Sequence, residues 1–150
     1  MDIPPDPRPA ASPDAEARLA RHLAQFRTPI PARSRLELAL TAIPFAALFA
    51  LAWAALSVSP WLSVLISLAN AAFLVRLFMI QHDCGHGAFF GDRRWNDRVG
   101  RLIGVLTLTP YHAWRTTHAI HHAATGNLDR RGVGDIPTLT VAEYRARPFV

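Results

Sequence analysis

The chain is 150 residues long, 51% of them apolar, and carries a net charge of +5 and one cysteine, Cys84. That length suits a single domain, and a lone thiol excludes an internal disulfide and fits a reducing compartment. All 16 basic residues are arginine, set in polar segments that flank an apolar middle, so the charge reads as contact with lipid head groups and not with nucleic acid.

No secretory signal opens the chain: Asp2, Pro4, Pro5, Asp6 and Pro7 stand where a basic and then apolar leader would begin. The Pro-rich residues 1 to 12 are expected to be disordered. Ser12–Pro13 then forms an N-cap and first-turn proline pair, behind which Leu19, Leu23 and Phe26 recur at helical spacing with Arg18 and Arg21 off the stripe. Two readings of residues up to 35 suit that pattern, a short helix lying on a membrane surface and a frayed linker helix.

Pro29 and Pro31 break the chain before Arg33 and Arg35. From 36 to 58 runs an apolar segment with one acid, Glu37, at its start; at about 1.5 Å per residue it can cross the roughly 30 Å hydrocarbon core. Pro44 lies inside it, which membrane helices tolerate. The uncharged turn Ser57–Val58–Ser59–Pro60 leads into a second span, 60–81, where Arg76 sits near the end and its long side chain can reach the interface. The expected architecture is all-α: a membrane hairpin of two spanning helices, followed from residue 82 by cytoplasmic and interfacial helices. Arginines crowd both ends of the hairpin and are missing from its turn, which places the N-terminus and the segment after residue 81 on the cytoplasmic side.

Val99 to Pro110 is a third apolar stretch, interrupted by Arg101 and Gly104 and too short to span. It reads as an interfacial or re-entrant helix that returns the chain to the membrane surface. After Thr125 the sequence turns polar and irregular, and Thr138 to Arg147 is expected to form one more short helix.

The chemistry concentrates in two clusters, one holding His82 and His86 and the other His118, His121 and His122. At about 100° per residue, His86 falls about 40° from His82, while His121 and His122 fall on either side of His118, so each cluster presents its rings in one direction if helical. Imidazole suits Zn, Cu, Fe and Ni. A catalytic zinc needs three protein ligands and an open position, and no glutamate follows His82 as in the His-Glu-x-x-His metalloprotease pattern. Five neutral ligands therefore point to a polynuclear site. Asp83, about 100° off the ligand face, is either an acceptor for an imidazole N–H or a solvated helix residue. Cys84, about 200° from His82, is expected to be a packed side chain and not a ligand. Gly85 and Gly87 either admit a close helix or end their own helix early.

These boxes, His82-x-x-x-His86 and His118-x-x-His121–His122 behind a membrane hairpin, resemble the first two histidine boxes of integral-membrane fatty acid desaturases. The stretches HDCGHGAFF (82–90), TPYHAWRTTHAIHHAATGNLDRRG (109–132) and GDIPTLT (134–140) are similar to the bacterial acyl-lipid Δ12-type branch, and the likeness runs from about residue 36 to the end. The resemblance implies a di-iron enzyme of the bacterial inner membrane that uses O₂ to remove two hydrogens from an unactivated acyl chain of a lipid. It implies His82, His86, His118, His121 and His122 as iron ligands and a ferredoxin-like or cytochrome b5-like electron donor. Further candidates around the ligands are Asp83, Arg115, Asn127 and Asp135: Arg115 as an iron-site or donor-docking contact or as a membrane-surface anchor, Asn127 and Asp135 as supports of the ligands or as turn residues. His112, in the Tyr-His-x-Trp-Arg stretch outside both boxes, is read as non-ligating, and Trp114 as an interfacial anchor.

Members of that family are about twice this length, with a second membrane hairpin and a third box near the C-terminus. No histidine follows His122, and five ligands are too few for two octahedral-like iron shells. Residues 82–150 are thus read as part of a di-iron domain, and the chain by itself is expected to bind iron substoichiometrically and not to desaturate. Two other readings share the boxes: a related membrane hydroxylase or ketolase acting on alkane, acyl or carotenoid substrates, and a non-catalytic membrane hairpin.

Overall fold

Two long apolar helices form the body of the molecule, and each starts at a proline. The computed structural model describes residues 12–132 and 138–148. Helix α1 spans Pro13–Ala24, α2 Pro31–Ala55, α3 Pro60–His86, α4 Arg93–Leu106, α5 Tyr111–Ala124 and α6 Val141–Arg145, with a 3-10 turn at Leu128–Arg130. Among the described residues there is no strand, and the architecture is all-α. Of the stretch expected to be disordered, all but Ser12 lies outside the described residues.

Helix α2 begins at Pro31 and not at residue 36. A proline at the first helical position gives up an N–H that has no intrahelical partner there, and its fixed φ already suits the helix. The same residue that reads as a breaker therefore acts as a start. The helix ends at Ala55, where the N–H groups of Val58 and Ser59 both return to the Ala55 carbonyl (3.0 and 2.8 Å) and tighten the turn. Helix α3 does not stop at 81. It runs unbroken through the first histidine cluster to His86 and closes at Gly87, whose φ of 71° lies in the left-handed region. The Gly87 N–H bonds the Cys84 carbonyl and the Ala88 N–H bonds the Asp83 carbonyl, both at 2.9 Å, a Schellman closure. The first box is thus the last turn of a helix that starts at the far end of the hairpin.

At about 1.5 Å per residue, α2 and α3, with 25 and 27 residues, are both longer than the hydrocarbon core is thick. Their most apolar windows each have a mean hydropathy of 2.0, yet only 11% and 22% of those windows is buried. A core helix of a soluble fold is mostly covered by protein. Here Trp53, Leu65 and Leu68 point outward, 71%, 64% and 68% exposed, as suits helices long and apolar enough to cross a membrane. Polar ties between the two helices sit toward the ends of the hairpin. Near the turn, the Ser63 hydroxyl donates to the Ala52 carbonyl at 2.8 Å. At the other end Arg76 reaches the Glu37 carboxylate at 3.1 Å and the Thr41 hydroxyl at 3.3 Å.

Beyond α3 the chain folds back on itself. Asn96, fully buried, organises the connection: its amide donates to the carbonyls of Phe90 (2.7 Å) and Asp92 (3.0 Å), and its oxygen accepts from the Phe90 N–H (3.0 Å). Asp92 caps α4 by accepting from the Arg94 N–H at 2.7 Å, so this helix starts at Arg93, well before the apolar stretch that begins at Val99. Helix α4 lies along α3 and contributes Ile103 to a small core with Leu77, Ile80, Cys84 and Tyr111. Leu102 and Val105 stay on its outer side. Buried Gln81 ties the exit of α4 back to α3, accepting from the Thr107 hydroxyl (2.8 Å) and donating to the Thr109 carbonyl (3.4 Å). Helix α5 then returns toward the first box.

Helix α1 buries none of its residues, and Leu19 and Leu23, with Phe26 just beyond its end, remain exposed. Helix α6 is shorter than the expected 138–147; Thr140 and Glu143 form a capping box at its start, and Arg131 grips the Glu143 carboxylate.

Candidate metal centre

Helices α3 and α5 carry the two histidine boxes on facing surfaces, and the Nε2 atoms of four rings converge. His118 Nε2 lies 2.9 Å from that of His82, 3.1 Å from that of His86 and 3.0 Å from that of His122. All four ligand atoms fall within 4.8 Å of one another. An imidazole nitrogen makes one hydrogen bond in the plane of its ring, as donor or as acceptor. Three partners around His118 Nε2 exceed that capacity, whereas lone pairs turned toward one another in this way suit a shared cation. Metal–imidazole bonds of about 2.0–2.1 Å would put ligands at right angles roughly 3 Å apart, which matches the three spacings from His118 Nε2. The donor set fits a first-row transition ion.

Electrostatics favour the ligating state. Burial first, and then the neighbouring rings of His82, His122, His86 and His121, hold the His118 imidazole down at about 4, so it is neutral at physiological pH with its lone pair available. Behind His82, the Asp83 carboxylate stands 3.3 Å from Nδ1 and can accept that N–H, which directs Nε2 toward the cluster.

The fifth histidine of the boxes is set apart. His121 is outside the four-nitrogen group, its ring 5.9 Å from that of His118 and 21° from parallel with it. His112 pairs with Arg101 at 3.2 Å, away from the cluster. Cys84 is wholly buried in the small core and takes no part in the group. Arg115 reaches the Asp97 carboxylate at 3.3 Å, and Asn127 accepts from the Asp129 N–H at 2.9 Å, which caps the 3-10 turn. Asp135 lies outside the described residues.

Three residues that sequence reasoning passed over or placed elsewhere complete the surroundings. Asp97 on α4 is a hub: Arg93 Nε (3.5 Å), Arg115 Nη1 (3.3 Å) and the Tyr111 hydroxyl (3.2 Å) all meet its Oδ1. The Tyr111 hydroxyl also lies 3.0 Å from the Cys84 carbonyl, in the first box. Burial, followed by the Asp97 carboxylate, pushes that phenol up to about 12 and keeps it a donor. The Tyr111 ring packs against α4 because position 100 is glycine, where a Cβ would stand 2.3 Å from it; at Gly104 a Cβ would instead meet the Thr109 carbonyl at 2.6 Å. Trp114, expected at the lipid interface, instead lies between the boxes, stacked on His118 with ring centroids 4.6 Å apart and planes at 17°. Its spacing of one helical turn before His118 was the available signal. The two box glycines divide the two readings of them between themselves: Gly85 admits the Trp114 indole, and Gly87 ends the helix.

Residues 59–149 match the family model for fatty acid desaturase. The chain belongs to the fatty acid desaturase family. Over 131 residues it is 46% identical to a fatty acid desaturase of Bacillus subtilis (strain 168), a match covering 87% of this chain and 37% of that desaturase. It is 49% identical over 53 residues to a Synechocystis sn-1 acyl-lipid omega-3 desaturase (ferredoxin), covering 35% of this chain and 15% of that one. To the chloroplastic sn-2 acyl-lipid omega-3 desaturase (ferredoxin) of Arabidopsis thaliana it is 40% identical over 85 residues, 56% of this chain and 19% of the other. The chain therefore spans little more than a third of the length of the first of these desaturases. No solved structure matches it.

Proposed function

We propose that this chain supplies the larger part of the iron site of a membrane desaturase that introduces a double bond into an acyl chain of a membrane lipid, using O₂. The observation that carries the reading is the convergence of four Nε2 atoms, contributed by the last turns of a membrane helix and by the helix packed beside it. His82, His86, His118 and His122 would hold iron, with His121 as a ligand to the second ion of a di-iron pair. Bound iron would supply the oxygen-activating redox chemistry. The protein's own tasks are to keep the imidazoles neutral, to direct His82 through Asp83, and to hold the site against the membrane, where the acyl chain arrives.

Two relatives are named as ferredoxin-type acyl-lipid desaturases, which supports a lipid substrate and a ferredoxin-like electron donor here. Arginines at 27, 33 and 35 before the hairpin and at 93, 94, 98 and 101 after it, with none in the turn, support a cytoplasmic N-terminus and a cytoplasmic metal site in a bacterial inner membrane. The apolar stripe of α1, six residues ahead of α2, then rests on the same face of the bilayer.

The test is a chimera in which the matching segment of the Bacillus subtilis desaturase is replaced by that of this chain. The expected result is new double bonds in the host's lipid profile, abolished by His118→Ala at unchanged expression. A chimera that accumulates in the membrane and produces no unsaturated acyl chains would remove the reading.

A further inference from the structure

The orientation of His82 has a visible cause in the Asp83 carboxylate at Nδ1. For His118, the ring at the centre of the cluster, the hydrogen-bond contacts made among the described residues all involve Nε2, the ligating atom. The ring torsion of histidine is a broad, roughly two-fold one, so something else must fix the imidazole plane. The contact available is Trp114, one helical turn earlier on α5, whose indole covers the imidazole nearly face to face at 4.6 Å.

That indole is itself clamped. Phe78 meets it edge-on at 5.6 Å and 75°, and the His82 ring lies 5.7 Å away. On the α3 side it fills the space that a side chain at 85 would need: a Cβ there would stand 2.7 Å from Trp114 Cζ3. Gly85 lies between the two ligands of the first box, so the indole spans the gap between the boxes at the level of the ligands.

We propose that Trp114 is a positioning residue: slotted over Gly85, it sets both the plane of His118 and the spacing of α3 and α5, and so holds His118 Nε2 about 3 Å from each of the other three ligand atoms. The proposal rests on the metal-site reading above. It also explains why the position between the ligands of the first box is glycine, since any side chain there would push the indole off His118.

The experiment has a metal-free arm and a metal arm, both on the full chain in lipid nanodiscs. In the metal-free arm, the ring protons of His118 are followed by NMR; the stacked indole should shift them upfield, and Trp114→Ala should remove the shift. In the metal arm, Co²⁺ is titrated by its visible spectrum. Trp114→Ala should weaken Co²⁺ binding roughly tenfold or more, the size expected for losing a group that orients a ligand, and should alter the spectrum of what still binds. Trp114→Phe, which keeps a ring over His118, should bind close to the unsubstituted chain. Gly85→Ala should weaken binding alone and add no further loss in the Trp114→Phe background, where the outer indole ring is gone.

An unshifted His118 in the parent chain overturns the proposal, as does Co²⁺ affinity unchanged by Trp114→Ala. So does additive loss from Gly85→Ala and Trp114→Phe. A parent chain that shows the ring shift and binds no Co²⁺ removes the metal-site reading and the proposal with it, leaving the stack as a packing contact. If Trp114→Ala lowers helicity, Trp114→Phe and the Gly85 pair decide the matter.

Discussion

The hairpin body and the junction above it are held together in opposite ways. Between α2 and α3 the side-chain hydrogen bonds lie toward the ends of the pair, at Ser63–Ala52 and at Arg76 with Glu37 and Thr41, while mid-span the buried Asn70 stands among apolar neighbours such as Phe45, Phe49 and Leu74. The junction of α3, α4 and α5 is instead dense in buried or half-buried polar contacts, from Asn96 and Gln81 to the cluster around Asp97 and Tyr111. Dispersion contacts are individually weak and set no direction, which suffices for two rods that lipid already holds upright. Four nitrogens that must share one point need directional bonds, which are costly to leave unmade away from water. The polar network is placed where precision is required.

The largest effect should come from the residue that joins both sides of that junction. Tyr111→Ala removes a buried ring from the core and is expected to cost about 3–5 kcal/mol, while Tyr111→Phe keeps the ring and loses about 1 kcal/mol for its hydrogen bond. Thermal unfolding in detergent reads both, and equal losses would mean that the hydroxyl and not the packing dominates.

A pH experiment sharpens the comparison from the metal site. The folded pKa of His118, near 4, lies below the ordinary histidine value. Between about 6.5 and 4 the unfolded chain therefore binds the proton more readily, and the metal-free protein should lose stability as pH falls through that window. Melting curves of the metal-free chain at successive pH values should show this slope, and His118→Asn should reduce it to the share left by His86, which burial and the His82 and His122 rings also hold down.

The smallest effect is expected in the hairpin. Arg76 and Glu37 form an ion pair whose side chains remain 53% and 41% exposed, the class worth about 0–1 kcal/mol. Glu37→Gln should leave the melting temperature nearly unchanged. A loss as large as that of Tyr111→Ala would show that the hairpin depends on polar bonds as much as the junction does.

How much of this was legible follows the same division. The two spans could be read from apolar runs, and the start of α1 and α3 from Ser12–Pro13 and Ser59–Pro60, because these signals are local. Box spacing made His82 with His86 and His118 with His122 share a face. What could not be read depends on contact across the chain. The end of α3 was legible only in part: Gly87 can be read as a helix end, but that it closes the same helix that spans residues 60–81 depends on a left-handed backbone whose bonds appear only once the helix is built. The polar start of α4 hid a helix because the residues that justify it, Asp92 and Asn96, act through caps and a buried side chain and not through apolar period. Trp114 read as an interface anchor because a tryptophan near a membrane usually is one; only the placement of Gly85 opposite it shows the other role.

In the proposed membrane site, the unbroken course of α3 would make the bilayer a mechanical part of the centre. Twenty-seven residues extend about 40 Å against a hydrocarbon core of about 30 Å, so in the proposed orientation its last turns would stand clear of the lipid tails, and no hinge separates them from the rest of the helix. A membrane of different thickness is met chiefly by tilt. Tilting raises or lowers His82 and His86 together and carries α4 and α5, packed against the same rod, with them. Lipid composition can thus change the height of the imidazoles over the head groups while leaving the distances among them untouched.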